Sequence, residues 1–227
     1  MKKLVCIFFL LHSLSGFCQK KKPKNDVDSI HEFSLDIVYG TRLFNNEFYS
    51  QVNTQSKFSF NKPVQVVGIG SSGVISISGR YGTSWIGGHI SYCQVIPRKI
   101  AINDTVSCNL NGYLYSMTLA GIDLFSRSKT FALLASAGFN TGRLRLHGNE
   151  WARQKNPFFS PKFTLQPKIR MRMLVLSVRA EYEWDISSPN WRRTYPANEN
   201  KIPLERFRET GATILFCVGL HGYSFED

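Results

Sequence analysis

The sequence is poor in charged residues and has no long apolar run. Charged side chains make up 19% of its 227 residues, below the usual ~25%, while aromatic side chains reach 13%. A disordered chain has the opposite composition, with few aromatics and much charge. The longest apolar run covers residues 4–11, well short of the roughly 18 residues that a membrane-spanning helix needs. The composition therefore excludes a disordered protein and a helical membrane protein.

Motifs of catalysis and metal binding are also missing. The histidines have no HExxH-like spacing and no pair four residues apart, as a metal site on a helix would require. The glycines of residues 68–73 precede a strand-like segment, whereas a dinucleotide-binding loop precedes a helix. No GxSxG elbow or Cys/His dyad is present. We predict no catalytic residue, cofactor or metal ion, and hence a protein that is not an enzyme.

The N-terminus has the pattern of a secretory signal peptide. Lys2 and Lys3 precede the apolar run, and small residues stand three and one positions before a cut after Cys18. We predict a signal peptide over residues 1–18, with a short anchor helix or lipidation of Cys18 as alternatives. Residues 19–32 are lysine-rich and almost without apolar side chains, which predicts a flexible periplasmic leader.

The charge balance is strongly basic. The net charge is +12, and loss of the two lysines in the signal peptide leaves +10. An exported chain rarely meets nucleic acid, so an anionic lipid or polysaccharide surface is the better class of partner. Solubility alone is the simpler explanation of the same charge.

Residues 33–227 show a two-residue alternation that predicts an all-β fold. In residues 174–186 one face is apolar and ends in Tyr182 and Trp184, while the other carries Arg179 and three acidic side chains. Residues 162–173 alternate in the same way, with basic side chains on the polar face. A soluble sandwich with its apolar face inward would also alternate. The aromatic ends and segments of about 10 to 14 residues favour the inverted arrangement, with lipid outside and charge inside.

Eight such segments can be counted, separated by alternating short and long links. The segments are 33–44, 64–77, 84–96, 109–125, 130–146, 162–173, 174–186 and 212–223. An even number of strands, with short turns on one side and long loops on the other, is the layout of an outer-membrane barrel. We predict an eight-stranded antiparallel up-and-down transmembrane β-barrel. Two features fit poorly: Pro167 lacks an N–H for the ladder, and no turn residue marks the join near Met173.

The polar faces of two adjacent predicted strands carry complementary charges. One is basic and the other mainly acidic, so a hairpin would interleave them as ion pairs inside a narrow lumen. A catalytic carboxylate cluster is the less favoured interpretation, and a lumen this narrow disfavours a conducting pore. The predicted lumen charge network comprises Lys162, Lys168, Arg170, Arg172, Arg179, Glu181, Glu183 and Asp185.

Three cysteines remain after the signal peptide, and an odd number argues against a full disulfide framework. Cys93 and Cys108 flank the predicted loop 97–107. A hairpin centred near residue 100 would place them opposite each other, so a cross-strand disulfide is one interpretation. Two unpaired, buried small residues are the other.

Two predicted long loops combine arginine with aromatic side chains, the composition of a binding surface. The residues are Trp151, Arg153, Trp191, Arg192, Arg193 and Tyr195. Such a surface would face phosphorylated lipopolysaccharide. The alternative is a solvated loop whose aromatic side chains cap the barrel rim.

The chain resembles the outer-membrane β-barrel proteins of Gram-negative bacteria, specifically the small eight-stranded OmpA/OmpX-like or PorT-type barrels. The resemblance covers about residues 33–225. It rests on the signal peptide ending in Phe17, Cys18 and Gln19, on the segment 138–142 and on the strand end 181–185. The chain departs from the pattern at its end, where Glu226 and Asp227 follow the aromatic Phe225. The resemblance implies a structural, surface-interaction or secretion-accessory role and no catalytic residues.

The sequence therefore predicts a non-enzymatic protein of the cell outer membrane. Its expected partners are outer-membrane lipid and lipopolysaccharide, with an envelope or secretion-machine protein as a further candidate, and no nucleic acid. A soluble periplasmic β-barrel or sandwich that binds an apolar ligand is the alternative, and an envelope hydrolase comes third.

Overall fold

A computed structural model describes residues 29–44, 47, 49–50, 63–79, 82–101, 107–123, 130–148, 154–188, 190–193 and 208–226. The predicted signal peptide, residues 1–18, lies outside these ranges. The predicted leader, residues 19–32, lies outside them up to residue 28, and its last four residues already belong to the first strand.

Eight long antiparallel strands and one short strand make up the sheet. They are β1 (Ser29–Phe44), β2 (Val64–Gly79), β3 (Gly82–Ala101), β4 (Ser107–Asp123), β5 (Phe131–Gly148), β6 (Gln154–Arg170), β7 (Leu174–Glu183), β8 (Arg192–Arg193) and β9 (Gly211–Glu226). Each long strand pairs with its neighbour in the chain, β7 pairs with β9, and β9 pairs with β1. The predicted eight-stranded antiparallel up-and-down barrel is therefore confirmed. No helix in the described ranges is long and apolar enough to cross a membrane.

The strands are staggered as they close. A path that goes from each residue to its register partner on the next strand leads once around the barrel. It starts at Gly211 on β9 and returns to the same strand at His221, ten residues further on. A stagger of ten over eight strands corresponds to a strand tilt of roughly 40°. An eight-stranded barrel of this kind has an interior that side chains can just fill.

The two faces of the barrel wall have opposite polarity. On β1, Glu32 and Asp36 are buried inside, while Ile37, between Asp36 and Val38, is 67% exposed on the outside. Among the described residues, 27 large apolar side chains are exposed in this way, from every long strand. A soluble protein of this size rarely exposes so continuous an apolar surface.

The interior also has an apolar half, which the sequence reading did not predict. Towards the end of the barrel where β1 finishes and β2 begins, the inward side chains of several strands form one apolar cluster. It includes Val64, Val66, Leu110, Leu144, Leu146, Phe158 and Leu215. The outward neighbours of these side chains include Gln65, Arg143 and Arg145, so the alternation at these strand ends is the reverse of the one that predicted a polar lumen.

Several predicted strand boundaries differ from the structure, and the two largest differences are in β3 and β6. β3 continues to residue 101, and β6 begins at residue 154 rather than 162, so the predicted loops 97–107 and 147–161 are partly strand. A register shift between Val95 and Arg98 lets β3 continue past Pro97, because a bulge relaxes the ladder around a residue without an N–H.

Pro167 lies inside β6 and interrupts one ladder only. Its pairing with Leu133 on β5 is continuous, whereas the ladder with β7 is broken between Leu165 and Lys168. Arg170 donates its N–H towards the β5 side, and N–H groups alternate between the two sides along a strand. The missing N–H of Pro167 therefore faces β7, which explains the break.

The turn between β6 and β7 contains only two residues. Met171 and Leu174 exchange backbone hydrogen bonds of 2.8 and 3.1 Å, so that Arg172 and Met173 form the tip. The predicted very short join near Met173 is therefore present without a glycine or asparagine.

Candidate functional site

The lumen brings together seven of the eight side chains of the predicted charge network. Inward positions on β6 and β7 carry Lys162, Lys168, Arg170, Arg179, Glu181 and Glu183, and Asp185 follows β7; each is at most 4% exposed. Arg172 is the exception, because the two-residue turn puts it at an exposed tip. The prediction was wrong for Arg172, since alternation was extended past the end of the strand.

The centre of the lumen is organised around Glu181. Lys162 on the adjacent strand donates a hydrogen bond to its Oε1 over 2.8 Å, and Arg179 lies 3.9 Å from the same oxygen. Asn140 on β5 donates to Glu183 over 3.0 Å and to Glu181 over 3.4 Å. Lys162 also contacts the hydroxyl of Ser116 on β4. These contacts join four strands across the lumen.

Arg179 extends the central cluster to the opposite wall. One of its nitrogens contacts Nδ1 of His89 on β3, and the other lies 3.5 Å from the hydroxyl of Ser91. The other ring nitrogen of His89 is 3.7 Å from a carboxylate oxygen of Asp36 on β1. The chain from Glu181 through Arg179 and His89 therefore ends on Asp36.

A second cluster lies nearer the end of the barrel where β1 begins and β9 ends. Glu32 on β1 accepts hydrogen bonds from Lys168 over 2.6 Å and from Arg170 over 2.7 Å. All three side chains are buried. One carboxylate on β1 thus neutralises part of the charge of two basic side chains on β6. Two strands, β9 and β7, lie between β1 and β6 in the barrel wall.

A third cluster lies at the loop end, where the apolar half of the lumen begins. Arg42 is fully buried, with a nitrogen 3.2 Å from Glu183 and 3.6 Å from Glu209. It also donates to the backbone carbonyl of Glu209 and lies over the ring of Phe158, 4.6 Å from its centroid. Arg42 therefore links β1 to the segment that leads into β9.

Asp185 anchors both ends of the long connection between β7 and β9. Its carboxylate accepts the N–H of Ser187 over 2.8 Å and the N–H of Glu209 over 2.9 Å. Its own N–H is donated to the hydroxyl of Thr210 over 3.1 Å. These bonds hold the two ends of the connection together above the lumen.

Glu209 stands outside the strands in a concentration of negative charge. Burial raises the pKa of its carboxyl well above the usual value of 4.5, and the carboxylates of Asp185 and Glu183 raise it further. Arg42 opposes this shift only in part.

The predicted disulfide is not formed. Cys93 is a buried free thiol, and the register places Leu114 opposite Cys93 and Ile100 opposite Cys108. The hairpin is centred further along the chain than predicted, because β3 continues through residue 101 after its bulge. Cys217, a second free cysteine among the described side chains, is also buried.

The predicted loop surface is described only in part. Trp151, Arg153 and Tyr195 lie outside the described residues, and Arg192 and Arg193 form β8 beside Lys155 and Gln154 of β6. Trp191 is 7% exposed and packs in the apolar cluster of the lumen. It is not part of an exposed surface, and the alternative of an aromatic cap on the rim describes it better.

Aromatic side chains contact one another on the outer face, mainly in the half of the wall nearer the loops. Tyr182 and Trp184 lie 4.8 Å apart between ring centroids, and Phe139 and Phe159 lie 5.2 Å apart. Tyr92 and Tyr115 make a similar contact at 5.2 Å. Such rings are typical of the interface between hydrocarbon and headgroups.

Several residues of the lumen clusters were not predicted from the sequence. They are Glu32, Asp36 and Arg42 on β1, His89 on β3, and Glu209. The three on β1 share one parity of the strand, opposite exposed Phe33, Leu35 and Ile37, so the same alternation argument would have found them. Glu209 lies before a strand and carries no such signal.

The described residues contain no group of three His, Cys, Asp or Glu side chains arranged to hold a metal ion. The arrangement of charges instead cross-links strands, since each cluster joins side chains from at least two strands.

Comparison with known proteins finds a similarity of structure but none of sequence. No family model matches it, and no curated protein matches its sequence. Among solved structures it is similar to Ail, the attachment invasion locus protein of Yersinia pestis, with 10% identity and a TM-score of 0.45, over 86% of this chain and 99% of Ail. That crystal structure contains the heparin analogue sucrose octasulfate. A second crystal structure of Ail has 10% identity and a TM-score of 0.44 over the same shares.

Proposed function

We propose that the protein is a non-enzymatic β-barrel of the bacterial outer membrane. We also propose that its lumen does not conduct and that the barrel serves to hold its outer loops at the membrane surface. The observation that supports this is the polarity of the closed barrel, with charge inside and a continuous apolar surface outside. Lipid can cover that surface, whereas water would leave 27 large apolar side chains exposed. The soluble barrel with an apolar ligand inside would need the reverse polarity.

The contents of the lumen favour an anchoring role over a conducting one. Arg42, Arg179 and Lys162 are at most 2% exposed inside the barrel, and the loop-end half is filled by apolar side chains. Water and ions would have to displace these groups to pass. We propose a role as a structural element, a surface-interaction protein or an accessory of secretion, with outer-membrane lipid and lipopolysaccharide as the surrounding partners.

The test is electrophoretic mobility of the full chain, expressed with its own N-terminal segment and recovered from separated envelope fractions. A band in the outer-membrane fraction whose mobility changes on boiling is the expected result, because a closed barrel resists detergent until it is heated. A protein found in the soluble periplasm with a single mobility would overturn the proposal. Planar-bilayer recording of the same preparation is expected to give no steady conductance, and a stable open channel would contradict the sealed lumen.

A further inference from the structure

The outer face of β4, β5 and β6 changes from apolar to cationic over four register steps. The lowest step pairs Met117 with Phe139 and Phe139 with Pro161, and the next pairs Tyr115 with Thr141 and Thr141 with Phe159. Above them Arg143 lies between Tyr113 and Pro157. The top step carries Arg145 and Lys155.

Arg145 on β5 and Lys155 on β6 are directly opposite each other. Both belong to the outward face, because Leu144, Leu146, Gln154 and Asn156 beside them are buried inside. Arg143 is the diagonal neighbour of Lys155 on the same face, and Arg192 of β8 is the register partner of Lys155 on its other side. Like charges directly opposite on two strands destabilise the pair unless an anion lies between them.

The described residues supply no such anion. No ion pair joins Arg143, Arg145 or Lys155 to a described carboxylate, and the buried Nε of Arg143 has no hydrogen-bond partner among them. The corresponding outward positions at the loop ends of β1, β2 and β9 are Thr41, Leu43, Gln65 and Ala212. At the loop end of β3 the outward position carries Lys99, so the outward cations of the described long strands lie on β3, β5 and β6.

The position of these cations along the barrel axis indicates which kind of anion neutralises them. They lie directly above the aromatic rings of Tyr115, Phe139 and Phe159, which mark the level where hydrocarbon gives way to headgroups. Acyl chains would lie along the apolar steps, and a headgroup phosphate would lie at the level of the cations. Arginine binds phosphate through two parallel N–H donors, and lysine supplies a third charge.

We infer that Arg143, Arg145 and Lys155 form a binding site for a phosphate group of an outer-leaflet lipid, of the phosphorylated lipid A class. This inference rests on the proposed outer-membrane location. It adds a defined site, on one side of the barrel wall, to the general attraction of a basic protein for an anionic membrane.

The test is native mass spectrometry of the full-length processed protein, released from detergent micelles after titration with lipid A or with lipid A lacking its phosphates. We expect the wild-type protein to bind the phosphorylated form at least about tenfold more tightly, since each charge-assisted hydrogen bond accounts for about that factor. Arg145→Gln with Lys155→Gln should lose at least about tenfold of that affinity. The matched control is Arg172→Gln with Arg208→Gln, which removes the same charge at exposed positions elsewhere and should bind as wild type does.

The outcomes distinguish a failure of the proposed lipid site from a failure of the proposed outer-membrane location. Equal binding of the two lipids by the wild-type protein, or equal losses in the two double variants, would overturn the site. Displacement of the lipid by inorganic phosphate at similar concentrations would overturn the lipid as its source. A barrel that is absent from the outer-membrane fraction would instead overturn the proposed function, whatever the titration gives. Both double variants should keep the heat-dependent mobility, which shows that they fold.

Discussion

Lys162 and Glu181 form an ion pair of 2.8 Å between β6 and β7, and neither side chain reaches solvent. Their strands are neighbours through a ladder that Pro167 interrupts. The ion pair therefore adds a side-chain link between two strands whose backbone pairing is interrupted further along, between Leu165 and Lys168.

Replacement of Lys162 by methionine is expected to destabilise the barrel strongly. The change leaves Glu181 buried with only Arg179 and Asn140 nearby, and removing one partner of a buried pair costs about 3–5 kcal/mol. Adding Glu181→Leu should restore part of the loss, because the carboxylate is then not left without its nearest partner; the recovery is incomplete because buried Arg179 loses the same carboxylate. Urea unfolding in lipid vesicles measures both. Lys99→Met, at an exposed position, is the control, and an equal effect in the two single variants would contradict the role of the pair.

Arginine in place of Ile37 should cost about 2–4 kcal/mol of folding free energy in a bilayer. Ile37 is outward, 67% exposed and near the middle of β1, where lipid would desolvate the guanidinium. Thr41→Arg lies on the same face of the same strand but near its loop end, so it should cost only about 0–1 kcal/mol. The same urea titration compares them. If the two variants are equally stable, the mid-wall surface of the barrel is not in hydrocarbon.

Pro167→Val should stabilise the barrel by about 0.5–1.5 kcal/mol, since it supplies an N–H towards Val178 where the β6–β7 ladder is broken. Valine also has a high propensity for strands. Pro157→Val is the matched control, because β7 has ended before it could pair with residue 157, and it corrects for the change in the unfolded chain. Hydrogen exchange at Val178 locates the effect. A stability gain no larger than that of the control would refute this explanation of the break.

Gly40→Ala should destabilise the barrel by about 1–3 kcal/mol, as overpacking does. A Cβ at Gly40 would lie 2.0 Å from the carbonyl oxygen of Ile214 and 2.8 Å from the Cα of Leu215 on β9. Gly222→Ala is the control, because nothing lies within 4 Å of a Cβ at that position. Unfolding midpoints should therefore separate the two alanine variants. A neutral Gly40→Ala would mean that β1 and β9 can move apart without loss.

Glu209→Gln should flatten the pH dependence of stability above pH 4.5. The folded state raises the pKa of Glu209 above its usual value of 4.5, so it holds a proton that the unfolded state has released. Stability linked to that proton is complete below pH 4.5 and is lost as the pH rises through the folded pKa. Unfolding free energies over this range should fall more steeply in the wild-type protein. Parallel curves for the two proteins would contradict the assignment.

Strand number, pairing order and the polar lumen could be predicted because each depends on a pattern of period two. The sequence 174–186 is an example, since Arg179, Glu181 and Glu183 are buried where their alternation put them. Strand ends could not be predicted in the same way. Residues 154–161 alternate only weakly, with Phe158 and Phe159 adjacent, and Arg172 continues the alternation of β6 into a turn. Alternation is a property of neighbours in the chain and does not show where a ladder stops.

Contacts between distant strands were also beyond the sequence. Glu32 meets Lys168 and Arg170 across 136 and 138 residues, and only the stagger of the closed sheet brings them to one level. The error over Cys93 and Cys108 arose because β3 continues to residue 101, which moves the centre of the hairpin along the chain, and the bulge at residues 95–98 then shifts the register by one residue, so that Cys93 lies opposite Leu114. A single extra residue in a strand changes every opposite neighbour beyond it.

The pairing of β1 with β9 joins the first described strand to the last, with Ser29 opposite Glu226. Because β9 is synthesised after all the other described strands, β1 has an edge with no partner until β9 has been made. With the proposed outer-membrane location, the whole chain must be held during export in a soluble, open form, with its apolar outer face uncovered and both edges available to other chains. The time between synthesis and closure is thus the period in which this protein is most prone to aggregate, and periplasmic chaperones should bind it then and release it once the seam has formed.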